Sequence, residues 1–144
     1  MKRLLIAAFC FPAFAGANVM SDCEASARVI AESAPLLTGA VSKYTQQIDY
    51  KDFASWRVGY LTPEYDRLNA TFGRSPFPAA NYSNPVLFAV KSDFFGRIPL
   101  IAQSIQSTLR YGDKYKADIS LHWQFAKDAG ELFAKECPEQ AASM

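Results

Sequence analysis

Apolar residues recur at helical spacing along most of this chain. Between Cys23 and Ile48, and again between Tyr115 and Cys137, they step by three and four positions, which is the period of one buried helix face. Apolar and polar residues do not alternate at the strand period over a useful length. The pattern predicts an all-α protein, an up-and-down bundle of about four helices.

Caps, prolines and glycines divide this pattern into long antiparallel segments. The predicted segments cover about 22–48, 52–72 with a break, 85–110 and 113–137. The break is predicted because Asp52 is typical of a helix cap, and Thr62 followed by Pro63 is typical of a second helix start. Pro138 ends the last helix.

Two prolines fall inside predicted helices. A proline ring removes a backbone donor and clashes with the carbonyl four residues earlier, so kinks are expected near Pro35 and Pro99. At Pro35, either one helix kinks or a second helix begins; near Pro99, a kink or a short gap is expected at 96–98. Asp22 is the predicted N-cap of the first helix.

The start of the chain predicts a signal peptide covering residues 1–17. Lys2 and Arg3 precede an apolar run, which is followed by alanine-rich cleavage sites ending at Ala17. The alternative, an N-terminal membrane anchor, is disfavoured because the run is shorter than a spanning helix. The short basic region and the alanine-rich sites are typical of bacterial export, so a periplasmic or secreted location is predicted.

Residues 18–144 are predicted to form a single helical domain. The chain has 15 basic and 14 acidic residues, and loss of Lys2 and Arg3 leaves it nearly neutral. Such a chain has no overall electrostatic reason to bind nucleic acid. No apolar stretch of bilayer length follows the signal peptide, so stable membrane insertion is not expected.

Cysteine usage agrees with export. Cys10 lies in the predicted signal peptide, which leaves Cys23 and Cys137. In an oxidising compartment two remaining cysteines most simply pair. Because Cys23 begins the first helix and Cys137 ends the last, a disulfide requires an even number of long helices.

His122 is the one histidine, and Asp118 precedes it by one helical turn. A histidine oriented by a carboxylate can act as a general base. His122 and Asp118 are therefore weak catalytic candidates for a small hydrolase-like enzyme. The alternative is a core or edge histidine satisfied by an aspartate, since no motif marks a nucleophile.

Metal and cofactor signatures are absent from the sequence. A zinc site needs several converging ligands, and the chain offers one histidine. The Cys-x-x-Cys-His sequence that attaches c-type haem does not occur. No metal and no cofactor is predicted.

A proline-rich loop over 73–85 supplies the predicted partner-binding residues. It is longer than most connections, and long loops are often functional. Arg74, Phe77 and Tyr82 are its candidate contact residues. Arg57, Arg67 and Arg74 could together form a patch for an anion or an acidic partner, but the favoured interpretation is a solvated face balanced by acidic neighbours.

These observations favour a binding module that acts outside the cytoplasm on another protein, as an inhibitor, an immunity protein or an envelope accessory protein does. The reasons are the missing catalytic motif and the aromatic loop. A carrier of a hydrophobic ligand is a further alternative, and it requires an apolar cavity of at least about 300 Å³ near Pro35 and Pro99.

Overall fold

The computed structural model describes residues 20–72 and 83–144, and every regular element in these two ranges is helical. The elements are α1 (Asp22–Thr45), α2 (Tyr50–Trp56), a π turn (Arg57–Leu61), α3 (Thr62–Phe72), α4 (Pro85–Phe95), α5 (Arg97–Tyr111), a 3-10 turn (Asp113–Tyr115), α6 (Lys116–Glu136) and α7 (Pro138–Ala142). The predicted all-α class is confirmed. The signal peptide predicted at 1–17 lies outside the described residues and stays a prediction.

Helix α1 begins with a capping box. The Ser21 hydroxyl accepts a hydrogen bond from the Glu24 backbone N–H at 3.2 Å, and the Glu24 carboxylate accepts one from the Ser21 backbone N–H at 2.8 Å. The N-cap is therefore Ser21, and the prediction of Asp22 was wrong. Gln47, with φ 56°, follows the end of the helix.

Pro35 lies inside α1, which continues through it as one helix. The prediction that a second helix could begin at Pro35 was wrong. Pro35 removes the N–H that would bond to the Ala31 carbonyl. Both residues are exposed, so water can reach this carbonyl. The helix tolerates the proline because the missing bond faces solvent.

The second segment is continuous helix interrupted by the π turn. Asp49, and not the predicted Asp52, caps α2, since its carboxylate accepts a hydrogen bond from the Asp52 backbone N–H at 2.8 Å. Thr62 has helical dihedral angles and donates its backbone N–H to the Arg57 carbonyl. The helix start predicted at Thr62 is confirmed, because α3 begins there, but Thr62 is a helical residue and its predicted role as an N-cap was wrong.

The π turn keeps the buried residues of this segment in phase. Phe53 and Leu61 are both buried but are eight positions apart, one more than two α-turns require. A π turn accommodates one extra residue, which returns Leu61 to the face of Phe53. Pro63 lies two residues after Leu61. The wider π turn therefore occupies the positions where the Pro63 ring would clash with the backbone of a regular α-helix.

Helices α4 and α5 are separated at Gly96, which confirms the expected break near Pro99. A Cβ atom at Gly96 would lie 2.5 Å from the Ser92 carbonyl oxygen, so a side chain does not fit there without movement. Pro99 lies in the first turn of α5, where its missing N–H has no helical acceptor to satisfy.

The long segments alternate in direction. The Asp22 carboxylate at the start of α1 accepts hydrogen bonds from the Asn84 backbone N–H at 2.8 Å and the Ser83 hydroxyl at 3.0 Å. The start of α4 therefore lies beside the start of α1. The disulfide between Cys23 and Cys137 brings the end of α6 to the same end of the bundle, with a Cα–Cα distance of 5.6 Å. The predicted disulfide and the even count of long segments are confirmed.

The core lies between α1, α2, α3, α4, α5 and α6. Its largest fully buried side chains include Phe53, Phe72, Leu68, Leu87, Ile98, Ile101 and Ile105. One strip of α5 faces away from this core and is partly exposed. That strip forms the floor of two clefts.

Candidate functional site

The first cleft, called here the histidine cleft, lies between α5 and the start of α6. Its volume is about 240 Å³. The residues that line it are Leu100, Gln103, Ser104, Ser107, Tyr115, Asp118 and His122. The antiparallel packing of α5 on α6 brings these residues together, and it leaves His122 half-exposed at the cleft rather than sealed in the core.

The hydrogen-bond partner of His122 is Arg97. Nη1 of Arg97 lies 3.4 Å from Nδ1 of His122. A guanidinium has no acceptor atom, so in this contact Arg97 donates and Nδ1 of His122 accepts. The lone pair that a general base would use is therefore engaged by Arg97.

Arg97 is itself fixed by two further contacts. Its Nη2 atom forms an ion pair with Asp93 at 3.0 Å, one turn earlier along the chain. Its guanidinium lies 4.1 Å from the centre of the Phe125 ring, within cation–π distance. Arg97 thus joins the end of α4 to the outer face of α6.

The two predicted catalytic candidates line the same cleft without a hydrogen bond between them. Asp118 lies one turn before His122, but the hydrogen bond of His122 goes to Arg97 instead. Three hydroxyl groups line the cleft as well, from Ser104, Ser107 and Tyr115. Within the described ranges none of them is in hydrogen-bond contact with His122. The arrangement does not assemble a nucleophile with its base.

Next to the histidine cleft is a group of exposed apolar side chains, called here the α6 patch and defined as Leu100, Leu121 and Phe125. Their exposed fractions are 39%, 53% and 39%, respectively. Leu121 and Phe125 are one helical turn apart on α6, and Phe125 carries Arg97 against its ring. The patch therefore combines an apolar surface with a positioned cation.

The second cleft, called here the arginine cleft, lies on the other side of the exposed α5 strip. Its volume is about 190 Å³. The residues that line it are Tyr50, Arg57, Gln103, Gln106, Ser107, Arg110 and Tyr111. Gln103 and Ser107 line both clefts, so the two clefts adjoin each other and are together called here the groove along α5.

A chain of hydrogen bonds crosses the arginine cleft. Nη1 of Arg57 donates to the Gln106 side-chain carbonyl at 2.5 Å, and the Gln106 amide donates to the Tyr50 hydroxyl at 3.5 Å. Nη1 of Arg110 donates to the same hydroxyl at 3.4 Å. The Arg110 guanidinium also lies 5.4 Å from the Tyr50 ring centre and 5.1 Å from that of Tyr111.

Sequence reasoning missed the arginine cleft. Arg57 was grouped with Arg67 as a solvated face, and Arg110 was not singled out. Arg67 does pair with Glu64, at 2.9 Å. Arg57 and Arg110 come from separate helical segments, and no local pattern indicates that packing brings them to one cleft. The available signal was only that each has few acidic neighbours at helical spacing.

The predicted contact residues Arg74, Phe77 and Tyr82 lie outside the described residues. Their role stays a prediction.

Two partly buried groups outside the clefts, Tyr65 and Lys91, have pKa values that are shifted mainly by burial. Burial, and to a smaller degree the charge of Asp66, raises the pKa of Tyr65, whose ring stacks on Phe95 with centres 4.6 Å apart. Burial lowers the pKa of Lys91. These residues lie on α3 and α4 and do not line either cleft.

For metal and ligand binding, the described residues offer little. Among residues 20–72 and 83–144, no group of three or more histidine, cysteine, aspartate or glutamate side chains is arranged to hold a metal ion. A depression of about 610 Å³ lies beside Pro35. It is an open surface feature between α1 and the last residues, Ser143 and Met144, and not the enclosed cavity that a carrier requires.

In the same part of the chain, no helix combines the length and apolarity that crossing a membrane demands. Comparison of the chain with known protein families, with curated proteins and with solved structures finds no match.

Proposed function

We propose that this protein is a binding module that acts outside the cytoplasm by engaging another protein through the groove along α5 and the α6 patch. The observation that carries the proposal is the exposure of Leu121, Phe125 and Leu100 beside a fixed arginine. Single exposed apolar residues are ordinary on a surface, whereas a group of them on two packed helices is typical of an interaction site.

The composition of the patch supports this proposal. Aromatic and arginine side chains dominate the binding energy of protein interfaces. Phe125 and Arg97 form such a pair, and the Asp93 ion pair holds Arg97 in place before any partner arrives. A side chain that is already ordered loses less conformational entropy on binding.

The enzyme alternative has less support. A general base needs a free lone pair, and Nδ1 of His122 is engaged by Arg97. The carrier alternative finds an open depression, and not an enclosed cavity, beside Pro35. A binding surface needs neither feature.

The Cys23–Cys137 disulfide supports a location outside the cytoplasm, because disulfides form and persist in oxidising compartments. Together with the predicted signal peptide, it favours the periplasm or the external medium.

A capture experiment with matched variants tests the proposal. The wild type, the double variant Leu121→Ser/Phe125→Ser and the control Val58→Ser are immobilised, and partners are recovered from periplasmic extract of the source cell. Val58 is 73% exposed and lies on the π turn, which carries none of the patch residues. We expect the patch variant to lose a specific partner that the wild type and the control retain.

A fourth arm, Phe77→Ala/Tyr82→Ala, tests the predicted loop contact separately. Circular dichroism checks that every variant is folded. If the patch variant and the control recover the same proteins in equal amounts, the α6 patch is not the binding surface. If the wild type recovers no specific partner, the proposed function is wrong.

A further inference from the structure

The arginine cleft holds two cations without acidic partners. Within residues 20–72 and 83–144, neither Arg57 nor Arg110 lies within ion-pair distance of a carboxylate, and their hydrogen bonds go to the neutral groups of Gln106 and Tyr50. Arg67 and Arg97, by contrast, each pair with a carboxylate one turn away. Two guanidinium groups beside one small cleft create a local positive potential, and no ion pair among the described residues neutralises it.

In the hydrogen bonds of the arginine cleft, the side-chain oxygens act as acceptors, and several N–H and O–H donors remain for a ligand. Arginine cannot accept, so the carbonyl of Gln106 must face Arg57 and its amide must face Tyr50. The Tyr50 oxygen then accepts from both Gln106 and Arg110, and its own O–H is left to donate elsewhere. Each guanidinium has five N–H groups and donates one of them to the hydrogen bonds with Gln106 and Tyr50.

The size and shape of the cleft limit what it can receive. About 190 Å³ is below the 300 Å³ or more that a typical small-molecule pocket occupies, but it is ample for one charged group carried by a larger molecule. The rings of Tyr50 and Tyr111 lie beside Arg110 and restrict its orientation. A pre-oriented guanidinium binds a carboxylate through two parallel hydrogen bonds.

We infer that the arginine cleft binds a carboxylate side chain of an acidic protein segment, held by Arg57, Arg110 and the Tyr50 hydroxyl. The inference rests on the proposed function and names the charge of the partner. The position of the cleft supports it, because the arginine cleft shares Gln103 and Ser107 with the histidine cleft, and Leu100 of the α6 patch lines the histidine cleft. One partner can therefore place an apolar surface on the patch and a carboxylate in the cleft.

Protein carboxylates fit this site better than nucleic acid does. The chain is almost neutral, with 15 basic and 14 acidic residues, and the cleft supplies only two cations. Nucleic-acid binding depends on many phosphate contacts along an extended basic surface. A single cleft with two arginines matches one or two carboxylates.

Titration with defined probes tests the site without the partner. A short oligoglutamate peptide, the matching oligoglutamine peptide and inorganic phosphate are each added to the purified protein. Binding is followed by the side-chain N–H signals of Arg57 and Arg110 in NMR spectra and by calorimetry. We expect oligoglutamate to bind more tightly than phosphate, oligoglutamine not to bind, and added salt to weaken the complex.

Three variants make the test specific. Arg57→Gln/Arg110→Gln should weaken oligoglutamate binding by about tenfold or more, as the loss of charge-assisted hydrogen bonds predicts. Arg67→Gln removes an arginine that is paired with Glu64, and it should change the affinity by less than about twofold. Arg110→Gln alone serves if the double variant does not fold, because Arg110 is exposed.

Three outcomes would overturn the inference. Oligoglutamate does not bind, phosphate binds at least as tightly as oligoglutamate does, or Arg67→Gln weakens oligoglutamate binding as much as Arg57→Gln/Arg110→Gln does. These results do not depend on capture of the partner, so they separate the two proposals. If oligoglutamate binds but no partner is recovered, the proposed function is refuted. The conclusion that the arginine cleft is an anion-binding site then still holds. If a partner is recovered and binds Arg57→Gln/Arg110→Gln as well as it binds the wild type, the proposed function as a binding module still holds. The role of the arginine cleft in binding that partner is then refuted.

Discussion

The Cα atoms of Cys23 and Cys137 lie 5.6 Å apart, although 114 positions separate them in the chain. That distance is within the range a disulfide requires. It is reached because the long helical segments are even in number, so that the last segment returns to the end at which the first began. The bridge therefore closes almost the whole described fold into one loop.

Removing this bridge should weaken the protein without changing its fold. In the chain-entropy account, a cross-link over a loop this long mainly restricts the unfolded chain. We expect Cys23→Ala/Cys137→Ala to lower the free energy of unfolding by about 2–5 kcal/mol. Urea unfolding measures the loss, and far-ultraviolet circular dichroism should show unchanged helix content. Equal unfolding midpoints for the variant and the oxidised wild type would contradict the prediction.

Replacing Pro35 should stabilise the protein. Pro35→Ala restores the N–H that bonds to the Ala31 carbonyl inside α1, which is worth up to about 3 kcal/mol in a helix interior. The greater freedom of the unfolded variant offsets about 0.4–1 kcal/mol of this gain. A net increase of about 1–2 kcal/mol is expected in denaturant unfolding. A lower midpoint would show that α1 depends on the proline for its packing.

Two buried serines of α1 should respond in opposite directions to the same substitution. The Ser26 hydroxyl is fully buried and has no hydrogen-bond partner in residues 20–72 and 83–144, so Ser26→Ala should raise stability by about 0.5–2 kcal/mol. The Ser33 hydroxyl donates to the Val29 carbonyl at 2.6 Å, so Ser33→Ala should lower stability by about 0.5–1.5 kcal/mol. Thermal melting of both variants provides the comparison. A destabilised Ser26→Ala protein would indicate a partner for that hydroxyl.

The capping box should make stability depend on acid. Hydrogen bonds from the Ser21 backbone N–H and then the Ser21 hydroxyl lower the pKa of Glu24 below its ordinary value of 4.5. A lowered folded pKa contributes stability above the unfolded pKa, and that contribution disappears as the pH falls through the folded pKa. As the pH falls below 4.5, the free energy of unfolding of the wild type should therefore decrease more than that of Glu24→Gln.

The control for this measurement is Glu131→Gln, which removes a highly exposed carboxylate in the last part of α6. It should retain the acid sensitivity of the wild type. If Glu24→Gln follows the same pH curve as the wild type in urea unfolding, the capping box does not contribute to the acid sensitivity.

Two glycines provide a matched pair of alanine substitutions. Gly112, between α5 and the 3-10 turn, has φ 81°, so Gly112→Ala should cost about 1–2 kcal/mol. Gly130 lies inside α6, and a Cβ atom there meets nothing within 4 Å. Gly130→Ala should therefore add about 0.5–1 kcal/mol through helix propensity. Equal midpoints for the two variants would contradict both assignments.

Much of the fold could be predicted because its signals are local. Helical spacing, the Asn84–Pro85 start and the stop at Pro138 each depend on a few neighbouring residues. The disulfide then supplied the long-range constraint. The π turn was missed because its extra residue shifts the spacing of buried positions, and such a shift resembles the end of one helix and the start of another.

The candidate site was harder to predict because its contacts are not local. The lone pair of His122 is engaged by Arg97, which is 25 positions away, and the sequence suggested Asp118 as the neighbour instead. Arg57 and Arg110 line the same cleft only because α5 packs beside the second helical segment, which begins with α2. Helical periodicity shows which face of a helix is buried, but it does not show which exposed side chains of different helices become neighbours.

The disulfide has a consequence for how the molecule opens. One end of the bundle is tied by the Cys23–Cys137 bond and by the hydrogen bonds of Asp22 to Ser83 and Asn84. The arginine cleft lies at the other end, where α1 turns into α2 and α5 turns towards α6. Transient opening and amide hydrogen exchange should be fastest at that untied end. An anion that bridges Arg57 and Arg110 would fasten together two segments that have no covalent link there, and exchange of their amides would slow.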